Sequence, residues 1–286
     1  MRRMLTNAVF RRHQAGHGTA GSSAGPGTLR DWVHSGRWLS VVSVLSAFAA
    51  WTLLNAFRLV PSDLLPGPGE VFKALIDILD DGYRGTTLWQ NILATLYRCL
   101  GGFILACMAG IPLGLAMGYN SRIRAAFDYI IQFMRPLPPL SYLILLILWL
   151  GTGDTSKIAL LYLTAFPIVA SSAMSGVWSV KAQKVQAARS LGAGEWQIFL
   201  HVIFPSALPL IFTGARIALA VTFSTVVAAE LMAAKDGLGW MVFSASHFLR
   251  NDVIILGIII LGILGMLLNR LILSLDSAVV HWRGVE

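Results

Sequence analysis

The chain has 286 residues, of which 56% are hydrophobic and only 13% charged, with a mean hydropathy of +0.70; a soluble domain is about 25% charged. That is too little polar surface to cover a water-soluble fold of this size, and the apolar residues cluster into runs long enough to cross a bilayer as helix, about 20 residues each. The net charge of +8 sits in loops beside apolar runs, where it sets topology and does not mark a nucleic-acid binder.

Residues 1–37 carry Arg2, Arg3, Arg11, Arg12, Arg30 and Arg37 and a low-complexity run from Gly16 to Gly27. With little to bury, this predicts a disordered basic tail. The first apolar run, about Leu39 to Ala56, lies behind a tail far longer than a signal n-region and reads as an anchor that stays in the membrane. A loop with Pro61, Pro66 and Pro68 and an amphipathic stretch, Glu70 to Leu79, follow. Further spans are predicted at about Leu93–Tyr119, Phe127–Leu150, Ile158–Val180, Leu208–Ala234 and Val253–Leu275. The expected fold is therefore an all-α polytopic membrane protein with six transmembrane helices and both termini on one side, residues 38–286 forming the membrane domain.

Lysine and arginine bias orients it. The tail, Arg122 and Arg124 after the second span, Lys181, Lys184 and Arg189 after the fourth, and Arg283 are basic. The intervening loops are richer in Asp63, Glu70, Asp77, Asp80 and Asp81. The positive-inside rule places both termini and residues 181–205 in the cytoplasm. Trp38, Trp89, Trp149, Trp178 and Trp282 fall near predicted span ends, where aromatic belts form.

Several constellations lie inside the spans. Gly110, Gly114 and Gly118 repeat every four residues, which lets helix backbones approach closely in lipid; the seam is either static packing or one that moves. Pro136, Pro138 and Pro139 cannot continue a regular helix, so the freed backbone must be buried in protein or line a cavity. Arg135 beside them either meets an anion or snorkels to the surface. Arg216 and Glu230 are 14 residues apart, about 21 Å along a helix, so each needs a different partner or a water-filled cavity. Arg98 is placed to pair with Glu230. Arg98, Arg135 and Arg216, with the hydroxyls of Thr222, Ser224 and Thr225, are the groups available to a polar solute on its way through lipid.

Catalytic signals are poor. Cys99 and Cys107 lie eight residues apart in one apolar run and do not bridge easily. The six histidines show no zinc spacing, so no metal site is expected. There is no Gly-x-x-x-x-Gly-Lys phosphate loop, so ATP-driven transport would need its ATPase on another chain. A secondary transporter would call for inverted repeats and a midplane ion site, neither of which is visible.

One segment does not look built for lipid. It reads Gln186-Ala187-Ala188, three residues, Gly192, nine residues, Val202, one residue, Phe204-Pro205, with Trp196, Phe199, Leu200 and Ile203 at helical spacing. This is a short helix-turn-helix with a small-residue face, suited to docking another protein. The spacing resembles the cytoplasmic loop of bacterial ABC importer permeases, which reads Glu-Ala-Ala, three residues, Gly, nine residues, an aliphatic, one residue, Leu-Pro. Gln186 replaces the leading Glu and Phe204 the Leu. The resemblance covers nearly all of residues 60–283 and is nearest the nitrate, sulfonate and taurine branch. Val227-Ala228-Ala229-Glu230-Leu231, Gly237-Leu238-Gly239-Trp240-Met241-Val242 and Trp282-Arg283-Gly284 are similar to taurine permeases in particular.

The resemblance implies a type I importer permease without a nucleotide site of its own. It would be a homodimer in the bacterial inner membrane on two cytoplasmic ATPase subunits that bind ATP and Mg, fed by an extracytoplasmic solute-binding protein. Residues 181–205 would be the coupling segment. Ala187, Ala188 and Gly192 would allow close approach, and Trp196, Phe199 and Leu200 would tie the loop to the bundle, closing at Pro205. The implied cargo is taurine or a related sulfonate, with nitrate, bicarbonate, pyrimidine precursors and aromatic acids as alternatives.

Overall fold

The computed structural model describes residues 37–57, 59–61 and 64–282, and among them the regular structure is helical. The expected tail, Asp63, Arg283 and Gly284 lie outside the described residues, apart from Arg37, which opens the first helix. The chain divides into two units, residues 1–54 and 55–286.

In the first unit helix α1, Arg37–Ala56, has a 16-residue apolar stretch, Val41–Ala56. Its Ser46 and Thr52 hydroxyls donate to the carbonyls of Ser43 and Ala49 at 2.9 and 2.8 Å. Polar groups satisfied within the helix suit an apolar surrounding.

The second unit holds α2 (Pro68–Asp80), α3 (Leu88–Tyr119), α4 (Ser121–Met134), α5 (Pro139–Leu150), α6 (Asp154–Trp178), α7 (Ala182–Ser190), α8 (Glu195–Ile198), α9 (Phe204–Ala233), α10 (Leu238–His247) and α11 (Asn251–Val279). Thr87 starts α3 with a reciprocal cap: its hydroxyl accepts the Gln90 N–H at 3.2 Å, and the Gln90 side chain accepts the Thr87 N–H at 2.9 Å. The bundle is built on α6, which packs on α3 and on α9. Its layers run from Cys99, Leu161, Leu219 and Val226 through Ala106, Ala165, Val169 and Ala218 to Leu115, Ala173, Ala207 and Ile211.

Small residues set these distances. Gly102, Ala106, Gly110, Gly114 and Gly118 form one ridge of α3 against α6. A Cβ on Gly118 would lie 2.6 Å from that of Val177, and one on Gly114 would overlap the Ala170 carbonyl. On the other flank Gly176 faces Ala207 and Gly214 faces Ser172. In lipid such contacts stabilise by close packing, since the hydrophobic drive between helices is absent.

Six spans are predicted from the sequence. Among the described residues four helices are long and apolar enough to cross a membrane: Leu88–Tyr119, Asp154–Trp178, Glu195–Met232 and Asn251–Val279. The run predicted as a single span over 127–150 is instead two helices, α4 and α5, meeting at 101°. Pro136 and Pro138 have no N–H to give to the carbonyls of the preceding turn, so the helix stops and the chain turns at Arg135–Pro138. The predicted start of the span near Leu208 moves back too. Helix runs unbroken from Glu195, passing Pro205 through one π-turn, Phe199–Ile203. Proline lacks the N–H that an α-turn needs and its ring crowds the preceding turn; the wider π-turn absorbs both. The helix therefore continues through Pro205.

Candidate functional site: a docking hairpin, a buried ion cluster and a cationic cavity

Helices α7 and α8 make a hairpin at one end of the bundle. Helix α7 has no buried residue. It ends where Gly192 takes φ +83°, with the Ala193 N–H on the Ala188 carbonyl at 3.1 Å and the Gly192 N–H on the Arg189 carbonyl at 2.9 Å. This left-handed cap favours glycine because a Cβ there meets the following backbone. Space beside Gly192 is otherwise open, with no atom of this chain within 4 Å of an added Cβ. Gln186, Ala187 and Gly192 are exposed and Ala188 half-buried, so α7 presents its small residues outward.

The hairpin is fixed to the bundle by Phe199 and Ile203, both in the helical spacing read from the sequence, and by Ile198, which that spacing leaves out. Ile198 and Ile203 are buried. Phe199 is half-buried, with Trp196 stacked on it at 5.7 Å and Tyr119 edge-on at 5.6 Å. Trp196 and Leu200, expected to tie the loop down, are 71% and 45% exposed; Trp196 lies in α8 ahead of the π-turn and Leu200 within it. Polar contacts complete the joint. Glu195 accepts from Tyr119 at 2.8 Å and from Arg189 at 2.9 Å. An apolar groove of about 750 Å³ lies beneath, between Leu115 and Tyr119 of α3 and Trp196, Phe199 and Phe204.

At the opposite end of α3 and α9 sits a closed ion cluster. Arg98, 2% exposed, donates Nη1 to Glu230 at 2.9 Å and Nε to Asp154 at 2.7 Å, and pairs through Nη2 with Asp236. The Glu230 carboxylate also accepts from the Thr95 hydroxyl at 3.0 Å and from the Gly239 N–H at 2.9 Å. Thr95 in turn accepts from the Leu238 N–H, and Asn91 from the Gly237 N–H. Residues 236–239 thus strap over Glu230, and Gly237, at φ +109°, has no room for a Cβ against that carboxylate. Lys157, buried nearby, is held by the Thr152 and Gly153 carbonyls at 3.0 and 3.1 Å.

Arg216 is treated differently. It is exposed, with one partner among the described residues, the Asn269 Oδ1 that accepts from Nε at 2.9 Å. It lines a cavity of about 220 Å³ between α9 and α11 with Ser224, Phe223, Leu268 and Asn269. Ser224 also borders a second hollow of about 450 Å³ with Pro139, Leu140 and Thr225. The Thr222 and Thr225 hydroxyls donate to the carbonyls of Ala218 and Val221 at 2.7 and 2.8 Å.

Residues 110–281 match the family of binding-protein-dependent transport system inner membrane components. The taurine transport system permease protein TauC of Escherichia coli (strain K12) is 42% identical over 247 residues, covering 86% of this chain and 90% of that protein. The chain belongs to this permease family. The nitrate import permease protein NrtB of Leptolyngbya laminosa is 33% identical over 247 residues, covering 83% of this chain and 88% of that one. A chain of the MetNI methionine ABC transporter in an inward-facing conformation matches in fold, with a TM-score of 0.60 at 22% identity, over 67% of this chain and 95% of that chain. The protein is an integral inner-membrane ABC importer permease subunit of the nitrate, sulfonate and taurine branch, with a type I fold.

Within this permease the structure sorts the residues singled out from sequence. Arg98 and Glu230 meet, as their positions predict. Arg98 is also surrounded by Asp154, the first residue of α6, and by Asp236 in the loop before α10, neither of which gave a periodic signal. Arg135, Pro136 and Pro138 are exposed at the break, apart from Arg216 and the three hydroxyl residues; only Pro139 of that group reaches Ser224 and Thr225. Asn269 was missed, although it stands beside Arg270 in the apolar run of α11 and a polar pair there is the kind of signal that finds such a residue. Among the described residues no cluster of His, Cys, Asp or Glu is arranged to hold a metal.

Proposed function

We propose that this permease passes a small sulfonate, taurine foremost, from an extracytoplasmic solute-binding protein to the cytoplasm. The hairpin α7–α8 seats on a separate ATPase that carries ATP and Mg. The observation that carries the docking role is the uncovered α7 face, Gln186-Ala187-Ala188 to Gly192, on a loop whose other side is anchored by Ile198, Phe199 and Ile203. Identity to TauC over most of both chains supports the cargo. A second copy of the permease and two ATPase subunits complete the assembly in the lipid bilayer. The basic loops put both termini and the hairpin on the cytoplasmic side, where nucleotide is found. Closure of the ATPase dimer draws the two hairpins together and shifts the permease pair between states that differ in their solute contacts. Likeness to NrtB keeps nitrate as a second reading of the cargo.

Proteoliposomes holding the permease, its ATPase and its binding protein test this directly. Taurine is expected to raise ATP hydrolysis and accumulate inside; a response to nitrate alone moves the cargo to the second reading. Gly192 separates two origins of the docking geometry. A β-branched side chain at φ +83° is strained by about 1–2 kcal/mol, so Gly192→Val is expected to lose taurine-stimulated hydrolysis. Asparagine tolerates this backbone, so Gly192→Asn keeps the response if glycine serves only the turn. It loses the response if the ATPase surface comes up against residue 192. Full stimulation and uptake in Gly192→Val would remove the hairpin from coupling.

A further inference from the structure

We infer that Arg216 and Asn269, bridging α9 and α11, form an anion-binding station inside the membrane for the oxyanion head of the transported solute. The inference rests on the importer reading above and adds the place where the permease itself meets the cargo's charge.

Position comes first. Arg216 lies twelve residues past Phe204, the start of α9, and seventeen before Ala233, its end. At 1.5 Å per residue that is about 18 and 26 Å from the two ends, well inside the span. A guanidinium at this depth must face protein, water or an anion, because hydrocarbon cannot solvate it. Among the described residues it makes no ion pair, and Asn269 takes only its Nε hydrogen. The four N–H groups of the two terminal nitrogens, the bidentate edge that matches a sulfonate or carboxylate, stay available.

The surroundings point the same way. Asn269 spends its carbonyl oxygen on Arg216, which orients the guanidinium and leaves the amide NH₂ as a further donor. No acidic side chain lines the cavity; its walls are Leu219, Phe223, Leu268 and Ile272. At 220 Å³ it holds several waters of about 30 Å³ each, or a small oxyanion in their place. Ser224 closes one side, and its 3.1 Å bond to the Ala220 carbonyl is one that a hydroxyl exchanges by rotating. Thr222 is buried with its hydroxyl committed to its own helix and has no part in the station. A cavity furnished with donors and one unpaired cation, between apolar walls, takes an anion and rejects a cation.

The full complex with its ATPase and binding protein, in proteoliposomes, gives the test. Taurine taken up per ATP hydrolysed is measured for the native chain, Arg216→Gln, Arg216→Lys and Asn269→Asp, and the melting midpoint of each purified permease is recorded. Arg216→Gln is expected to lower the ratio by roughly tenfold or more, the loss of one charge-assisted bond pair, and Arg216→Lys by less. Asn269→Asp places a carboxylate on the guanidinium, holding the fold while filling the station, and is expected to lower the ratio as far as Arg216→Gln does. It also keeps the test decisive should Arg216→Gln fail to fold. An unchanged ratio in Asn269→Asp overturns the station. So does a loss of ATP hydrolysis and uptake in equal proportion, which would make Arg216 a coupling or structural residue. Failure of the native complex to take up taurine, other alkanesulfonates or nitrate would instead sink the importer reading itself.

Discussion

The protein surrounds Arg98 of α3 and Arg216 of α9 in opposite ways. Arg98 has its guanidinium enclosed by Glu230, Asp154 and Asp236, with Thr95 and the amide of Gly239 completing the shell of Glu230. Arg216 has one amide oxygen and an open cavity. The first arrangement ties α3, α6, α9 and the strap before α10 at a single point. The second ties α9 to α11 through a neutral contact and leaves a positive charge with donors to spare. A charge whose partners all come from the same chain has its work inside the fold. A charge left with vacant donors at membrane depth has its partner arriving from outside it.

The largest expected effect comes from opening the closed cluster. Arg98→Met leaves three carboxylates around an apolar side chain, one of them fully buried. Removing one member of a buried ion pair destabilises by about 3–5 kcal/mol, because the remaining charge has nowhere to go. The purified variant is expected to melt far below the native protein or to be lost during extraction. Arg98→Met combined with Glu230→Met removes the buried partner as well and is expected to recover part of the loss. If the double variant is no better than the single one, the cluster is not held by that pair, and the contrast with Arg216 loses its first half.

These regions differ in how far they can be read from sequence, and the reason is physical. Spans α3, α6, α9 and α11 follow from apolar runs whose length is set by the bilayer, and the α3 ridge follows from a four-residue repeat of glycine. Arg98 and Glu230 attract notice as charges in such runs, and the need for partners pairs them. Asp154 and Asp236 do not, since an acidic residue at a helix start or in a glycine-containing loop is ordinary. Only the fold brings residues 98, 154 and 236 together. The hairpin stands out from the lipid-spanning runs by its spacing, which also names Phe199 and Ile203 among its anchors, but not Ile198. The single turn of α8 buries Ile198 and leaves Trp196 outside, ahead of the π-turn at Phe199–Ile203 in which Leu200 lies exposed. The break after Met134 was foreseen from three prolines, while the 101° angle between α4 and α5 depends on packing that proline content does not encode.

A smaller effect is expected from the strap. Gly237, at φ +109°, lets the chain pass over the Glu230 carboxylate. Gly237→Ala places a methyl into that carboxylate and strains the backbone, so it must lift the strap away from Glu230. The Asp236 and Gly239 contacts to the cluster are then weakened, while the Arg98–Glu230 pair, made from α3 and α9, survives. A loss of about 1–3 kcal/mol, the usual range for overpacking, is expected in thermal or denaturant unfolding, clearly less than for Arg98→Met. A loss as great as that of Arg98→Met would mean that the strap, and not the ion pair, holds this end of the bundle.

The smallest change in stability belongs to Arg216, and it is the sharpest test of the contrast because the substitution is the same. Arg216→Met removes a guanidinium whose one partner among the described residues is the Asn269 side chain and puts an apolar group beside Leu219, Phe223 and Leu268. The lost bond is neutral on one side and exposed, worth about 1 kcal/mol or less. Against it stands relief from holding an unpaired charge within the span, which insertion measurements place at about 2.5–3.5 kcal/mol for arginine at a helix centre. The two terms oppose each other, so the melting midpoint of Arg216→Met is expected to equal or exceed that of the native permease. A protein that keeps a residue at no gain to its own stability keeps it for another purpose. If Arg216→Met instead unfolds as readily as Arg98→Met, then a second copy of the chain or the rest of the assembly encloses Arg216 as the carboxylates enclose Arg98. Both arginines would then be structural, and the difference between the two regions would vanish in the assembled transporter.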